Sequence, residues 1–96
     1  VAAGDYRIID VAAVPERPGM TRVTLQARAD ASADGEFVLL LPQAALDQGR
    51  LAQGEIVTAR ARPYGLEFAN GATQQAFFLV LDDDWYRELQ TRPVVL

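Results

Sequence analysis

Residues Glu55–Ala69 read EIVTARARPYGLEFA, and Arg62-Pro63-Tyr64-Gly65 in their midst decides the fold. The first half alternates. Val57, Ala59 and Ala61 share one side of a strand, and Ile56, Thr58, Arg60 and Arg62 share the other. The second half, Leu66–Ala69, continues extended. If Pro63–Gly65 only kinks the chain, Glu55–Ala69 is one long bent strand. If it reverses the chain, two strands stand there instead. The first reading gives five strands in all, the second six.

Downstream, Asn70-Gly71 is the strongest hairpin signal, because both residues tolerate the positive φ of a type I′ turn. A run apolar on both faces follows, Ala76–Leu81. Phe77 and Phe78 are adjacent and so point to opposite faces of a regular strand. One enters the core. The other needs a cover, from a last helix carrying Trp85 and Leu89 or from a partner chain. Asp82 onward, DDDWYRELQT, reads as that helix. Asp82, Asp83 and Asp84 supply a cap and first-turn carboxylates that suit the helix dipole. Arg87 pairs four residues after Asp83. The same carboxylates lack the alternate spacing and the glycine of a calcium loop. Pro93 ends the helix.

Upstream, Tyr6–Val14 is a β-branched strand stopped by the loop PERPGM. Thr21–Arg28 alternates most cleanly, with Val23, Leu25 and Ala27 inward and Arg22, Thr24, Gln26 and Arg28 outward. Glu36–Leu41, EFVLLL, is apolar on both faces and reads as a strand covered on both sides. Pro42 opens a short helix, PQAALDQG, which Gly49 caps. Ala44, Ala45 and Leu46 form its buried stripe.

A helix between the third and fourth of five strands resembles the element order of the oligonucleotide/oligosaccharide-binding (OB) fold. The resemblance lies in element order and carries no family motif. It implies a mostly β, five-stranded barrel with a short helix between strands 3 and 4, followed by the C-terminal helix. A true turn at Pro63–Gly65 implies an SH3-like or meander barrel instead. Either way residues 1–96 make a single domain.

Composition narrows the chemistry. The 96 residues contain no Cys, no His and no Lys, and one serine, Ser32. Thiolate, imidazole and amine chemistry are therefore missing from the side chains, and the catalytic inventory shrinks to carboxylates, Tyr and Arg. Nothing in the spacing sets Glu36, Glu67 or Glu88 as a pair across a cleft. The expectation is a non-enzymatic module with no cofactor and no metal site. The net charge of −4 weighs against nonspecific nucleic-acid binding. No apolar run approaches the ~20 residues of a membrane-spanning helix. The small apolar opening VAAGD suggests an exported, periplasmic or secreted protein, or a chain trimmed from something longer.

The expected role is an accessory module that binds a protein or peptide partner, or a second copy of itself. The expected edge is the Thr21–Arg28 or Glu55–Arg62 side, and the expected apolar patch is Phe78, Trp85 and Tyr86. The alternative is OB-type binding of single-stranded nucleic acid or oligosaccharide on a face of Arg22, Arg28, Arg60, Arg62 and Tyr64. An ordinary solvated face of alternating arginines explains the same pattern.

Overall fold

The computed structural model describes residues 3–81 and 91–93. Its strands are β1 (Gly4–Ala13), β2 (Met20–Ala27), β3 (Glu36–Pro42), β4 (Ile56–Arg62), β5 (Gly65–Asn70), β6 (Ala76–Leu81) and the short β7 (Thr91–Pro93). The helix α1 (Gln43–Gln48) lies between β3 and β4, where the sequence predicts it, and a single 3-10 turn (Ala33–Gly35) precedes β3. The strands form one antiparallel sheet in the order β3-β2-β1-β4-β5-β6-β7. The fold is thus mostly β, as expected, but the strands outnumber the five of the expected barrel.

Arg62-Pro63-Tyr64-Gly65 is a true turn. Arg62 pairs with Gly65, and the ladder runs back to Val57 opposite Asn70. Pro63 suits this place, since its fixed φ starts a tight turn and its missing N–H lies outside the ladder. The bent-strand reading is therefore corrected in favour of the hairpin.

The sheet curls into a half-barrel. Its edge strands β3 and β7 approach within 8 Å, Cα to Cα. Phe37 on β3 stands 6.2 Å from Phe68 on β5, ring centre to ring centre, across the concave side. That side holds the core: Ile8, Val23, Leu25, Leu39, Leu41, Val57, Phe68 and Phe78, all buried. Helix α1 closes one end, contacting both β3 and β6 and burying Ala45 and Leu46. Ala44, expected in the buried stripe, is exposed.

Alternation buries Val23 and Leu25 on β2 and Val57 and Ala59 on β4 as predicted, while Ala61, grouped with the last two, is exposed next to the turn. The two doubly apolar runs behave differently. On β3 only Phe37, Leu39 and Leu41 turn inward. Val38 and Leu40 face out, 53% and 39% exposed, so this strand is an uncovered edge and not a sandwiched one. On β6 the ladder skips a residue: Phe78 pairs with Phe68, but Ala76 pairs with Ala69. This bulge lets both Phe77 and Phe78 bury. Phe77 finds its cover at the end of α1, against Gly49 and Leu51. A second bulge lies in β1 between Ile8 and Asp10, and leaves Ile9 partly exposed.

Gly49 follows α1 as expected, but for another reason. Its backbone is right-handed helical, φ −73°. The left-handed residue is Arg50, φ 56°. Arg50 N–H donates to Asp47 C=O at 3.0 Å, and Leu51 N–H reaches Leu46 C=O at 3.4 Å. This is a Schellman termination with its hydrophobic contact, since Leu46 and Leu51 are both buried. Glycine is needed at 49 for space: an added Cβ would lie 2.8 Å from Phe77 Cγ. It follows that Arg50→Gly stabilises the fold by about 0.5–1 kcal/mol, because relief of left-handed strain exceeds the added unfolded-state entropy. Gln74, φ 63°, is the control. Its side chain bonds Gly71 C=O and Thr58 Oγ1 and accepts from Arg60, so Gln74→Gly gives no gain. Urea midpoints of the two variants check the contrast.

Asp82–Gln90 lie outside the described residues, and with them the expected C-terminal helix. Thr91 and Pro93 belong to β7, so Pro93 ends a strand rather than a helix. No helix among the described residues is long and apolar enough to cross a membrane.

Candidate functional site

The arginines of the alternative reading divide among three places. Arg60 and Arg62 project from the convex face of β4 and converge on one carboxylate, Glu67 Oε1, each at 3.1 Å. Cross-strand register explains this, since Arg60 stands directly opposite Glu67. The second Nη of Arg60 also donates to Gln74. Tyr64, at the hairpin tip beside them, is 51% exposed. Arg22 lies on β2 opposite Ala12, near the far end of β1 from this hairpin. By strand rise the two ends are about 26 Å apart along the strand direction. Arg28 lies beyond the end of β2, its N–H bonded to Asp5 C=O. Arg60, Arg62 and Tyr64 are therefore brought together, with Glu67 neutralising half their charge. Arg22 does not join them, and Arg28 stands two strands away, across β1 from Thr58.

The expected partner patch also changes. Phe78 is fully buried opposite Phe68, so it offers no surface. Trp85 and Tyr86 lie outside the described residues, as do the three aspartates. Among the described residues the edges are β3 and β7. The strands expected at the edge, β2 and β4, each pair on both sides.

At the end of the half-barrel opposite α1 a cleft opens, with a volume of about 720 Å³. It lies between the start of β1, the end of β2 and the loop that leads into β3. Tyr6 and Phe37 provide its apolar lining, edge to face at 5.0 Å. Inward alternation puts them there: Tyr6 and Phe37 are the first concave-facing side chains of their strands. Asp5, Asp30, Asp34, Glu36 and Arg28 also line the cleft. Four acidic residues thus border the cleft beside one arginine, and one of them, Asp5, gives its carboxylate to Thr58, accepting from Thr58 Oγ1 at 2.8 Å. No carboxylate of the described residues lies within ion-pair distance of Arg28, since their ion pairs are those of Glu67.

The loop that supplies Asp30 and Asp34 is held by its own hydrogen bonds. Asp30 Oδ1 accepts from Ser32 Oγ at 2.6 Å and from Ser32 N–H at 2.9 Å. Gln26 Nε2 donates to the Asp30 and Ser32 carbonyls. The Ser32 hydroxyl, and then its backbone N–H, hold the Asp30 carboxyl below its ordinary range, so it is a fixed anion at neutral pH. No three carboxylates among the described residues cluster as a metal site would require.

This cleft was invisible to the sequence reading. Its lining comes from three separate segments, and "ADASADG" reads only as a loop. The available signal was the excess of Asp and Glu flanking the inward aromatic of β3. Comparison with protein-family models, with curated proteins and with solved structures found no match to this chain.

Proposed function

We propose that the chain is a non-catalytic binding module, OB-like in its helix position and in the pairing of β1 with both β2 and β4. Its ligand is a cationic peptide segment of a partner protein, held in the mouth of the half-barrel. The observation that carries this reading is the cleft itself. An aromatic lining and an excess of carboxylates occur together in a space sized for side chains of a ligand. Arg and Lys side chains match both features, since their stems pack on rings and their heads pair with carboxylates. The absence of His, Cys and Lys supports a role without catalysis.

Nucleic acid fits less well. A phosphate backbone would meet carboxylates at the mouth, and Glu67 already engages both arginines of the hairpin.

The test is fluorescence anisotropy with labelled peptides of matched length, one Arg/Lys-rich, one Asp/Glu-rich, and a single-stranded oligonucleotide. The basic peptide is expected to bind, and to weaken with salt. The Asp34→Asn/Glu36→Gln double variant should lower its affinity about threefold to tenfold. Equal binding of both peptides, or of neither, overturns the reading. Preference for the oligonucleotide would restore the arginine-face alternative.

A further inference from the structure

We propose that Asn70-Gly71 is a latent self-modification site: the native fold suppresses its deamidation, and opening of the β5–β6 turn releases it. The reaction is intrinsic to the dipeptide. The Gly71 backbone nitrogen loses its proton and attacks Asn70 Cγ. The Cγ–Nδ2 bond breaks, ammonia leaves, and a succinimide ring remains. Water then opens the ring at either carbonyl, giving aspartate or isoaspartate. Glycine in second place favours the attack, because no side chain shields its nitrogen and its backbone reaches the required angles. Asn70 is the only asparagine in the sequence.

The folded chain blocks each atom of this reaction. The attacking nitrogen is engaged, since Gly71 N–H donates to Ile56 C=O at 2.8 Å. The amide that must rotate is held at both ends. Asn70 Oδ1 accepts from Ala72 N–H at 2.8 Å and from Thr73 N–H at 3.3 Å, and Nδ2 donates to Gly49 C=O at 2.9 Å. The residue is 7% exposed, which limits water. Asn70 N–H is fixed to Gln75 C=O as well. Deamidation must therefore wait for local opening, and its rate falls with the population of the open form.

The product does not fit the closed turn. Aspartate at 70 keeps the acceptor for Ala72 and Thr73 but loses the donor to Gly49, and puts a carboxylate against that carbonyl in a nearly buried place. Isoaspartate also lengthens the backbone by one carbon inside the Val57–Asn70 register. The reaction is one-way, and each modified molecule carries a covalent record of having opened.

The experiment compares the folded protein, the protein in urea and a free peptide of residues 66–75, in one mildly alkaline buffer. Peptide mapping by mass spectrometry, with isoaspartate resolved, gives the rates. The urea-unfolded chain and the peptide should react alike, and the folded protein about a hundredfold more slowly. A folded rate within about threefold of the peptide overturns the protection. The one-way step is tested on the Asn70→Asp protein made directly. A lowered Tm, or failure to fold, is expected, and a Tm equal to the parent's overturns that step.

Discussion

Phe78→Ala is expected to lower stability by about 3–5 kcal/mol, as for other fully buried aromatic truncations. Phe78 is wholly inaccessible, and it sits on β6 directly opposite Phe68. That pair lies at the middle of the concave face, where β5 and β6 meet the residues brought round by the curl. No short side chain can close the space left behind, because the neighbours are held by ladders on both sides. The whole stability of a domain this size is about 5–15 kcal/mol. A loss of this size therefore moves the urea midpoint by a large fraction, with the slope unchanged if the transition stays two-state. Phe78→Leu, which keeps most of the volume, should cost about 1–1.5 kcal/mol. A loss below about 1 kcal/mol for the alanine variant would mean that Phe78 is not in the core. Self-association through Phe78 predicts instead a concentration-dependent mass that the variant abolishes. Light scattering of the two proteins separates these outcomes.

Gly71→Ala is the second large effect, about 2–3 kcal/mol, and its cause is proximity rather than torsion. Gly71 has no left-handed φ. The added Cβ would lie 2.7 Å from Ile56 Cγ2 and 2.8 Å from the Ile56 carbonyl oxygen. A side-chain methyl can rotate away. The carbonyl cannot, because it accepts the Gly71 N–H that ties the β5–β6 turn to the start of β4. Alanine must either strain this contact or break the bond. Ile56→Ala in the Gly71→Ala background should recover only part of the loss, since it clears Cγ2 and leaves the oxygen and, at 2.9 Å, Cβ. Full recovery in that double variant, read from urea midpoints, would assign the clash to the side chain alone.

These two sites also show what the sequence could and could not disclose. The alternation of Thr21–Arg28 and Glu55–Arg62 separated the two faces of each strand, because in a regular strand side-chain direction follows from position alone, but Ala61, grouped with the buried Val57 and Ala59, is exposed near the hairpin. The helix between β3 and β4 was legible from Pro42 and Gly49, although Pro42 is the extended last residue of β3 and the helix begins at Gln43. The apolar runs were not. EFVLLL shows that a second face is apolar, but whether anything covers it depends on where the strand falls in the sheet, and β3 falls at an edge. AFFLVL implies opposite directions for Phe77 and Phe78, until one bulge turns both inward. Asn70-Gly71 marked a turn correctly, but for the wrong mechanism. The loop is longer than two residues, and Asn70 works through side-chain bonds to Ala72, Thr73 and Gly49. The cleft needed three segments to be placed in space. Local pattern carries no such information.

The sheet order has a consequence for how the chain reaches its native state. β1-β2-β3 and β4-β5-β6-β7 are two meanders, each zipped from neighbours along the chain. Among the described residues a single ladder joins them, from Gly4 opposite Ala59 to Arg7 opposite Ile56. Closing that ladder costs chain entropy before it returns anything. Until it closes, β1 and β4 are both bare strand edges, each ready to accept the other. The same edges accept their counterparts on a second molecule equally well, and concentration decides which partner arrives first. Exchange of meanders between chains is thus the misassembly this topology invites. Dilute refolding favours the monomer for the same reason.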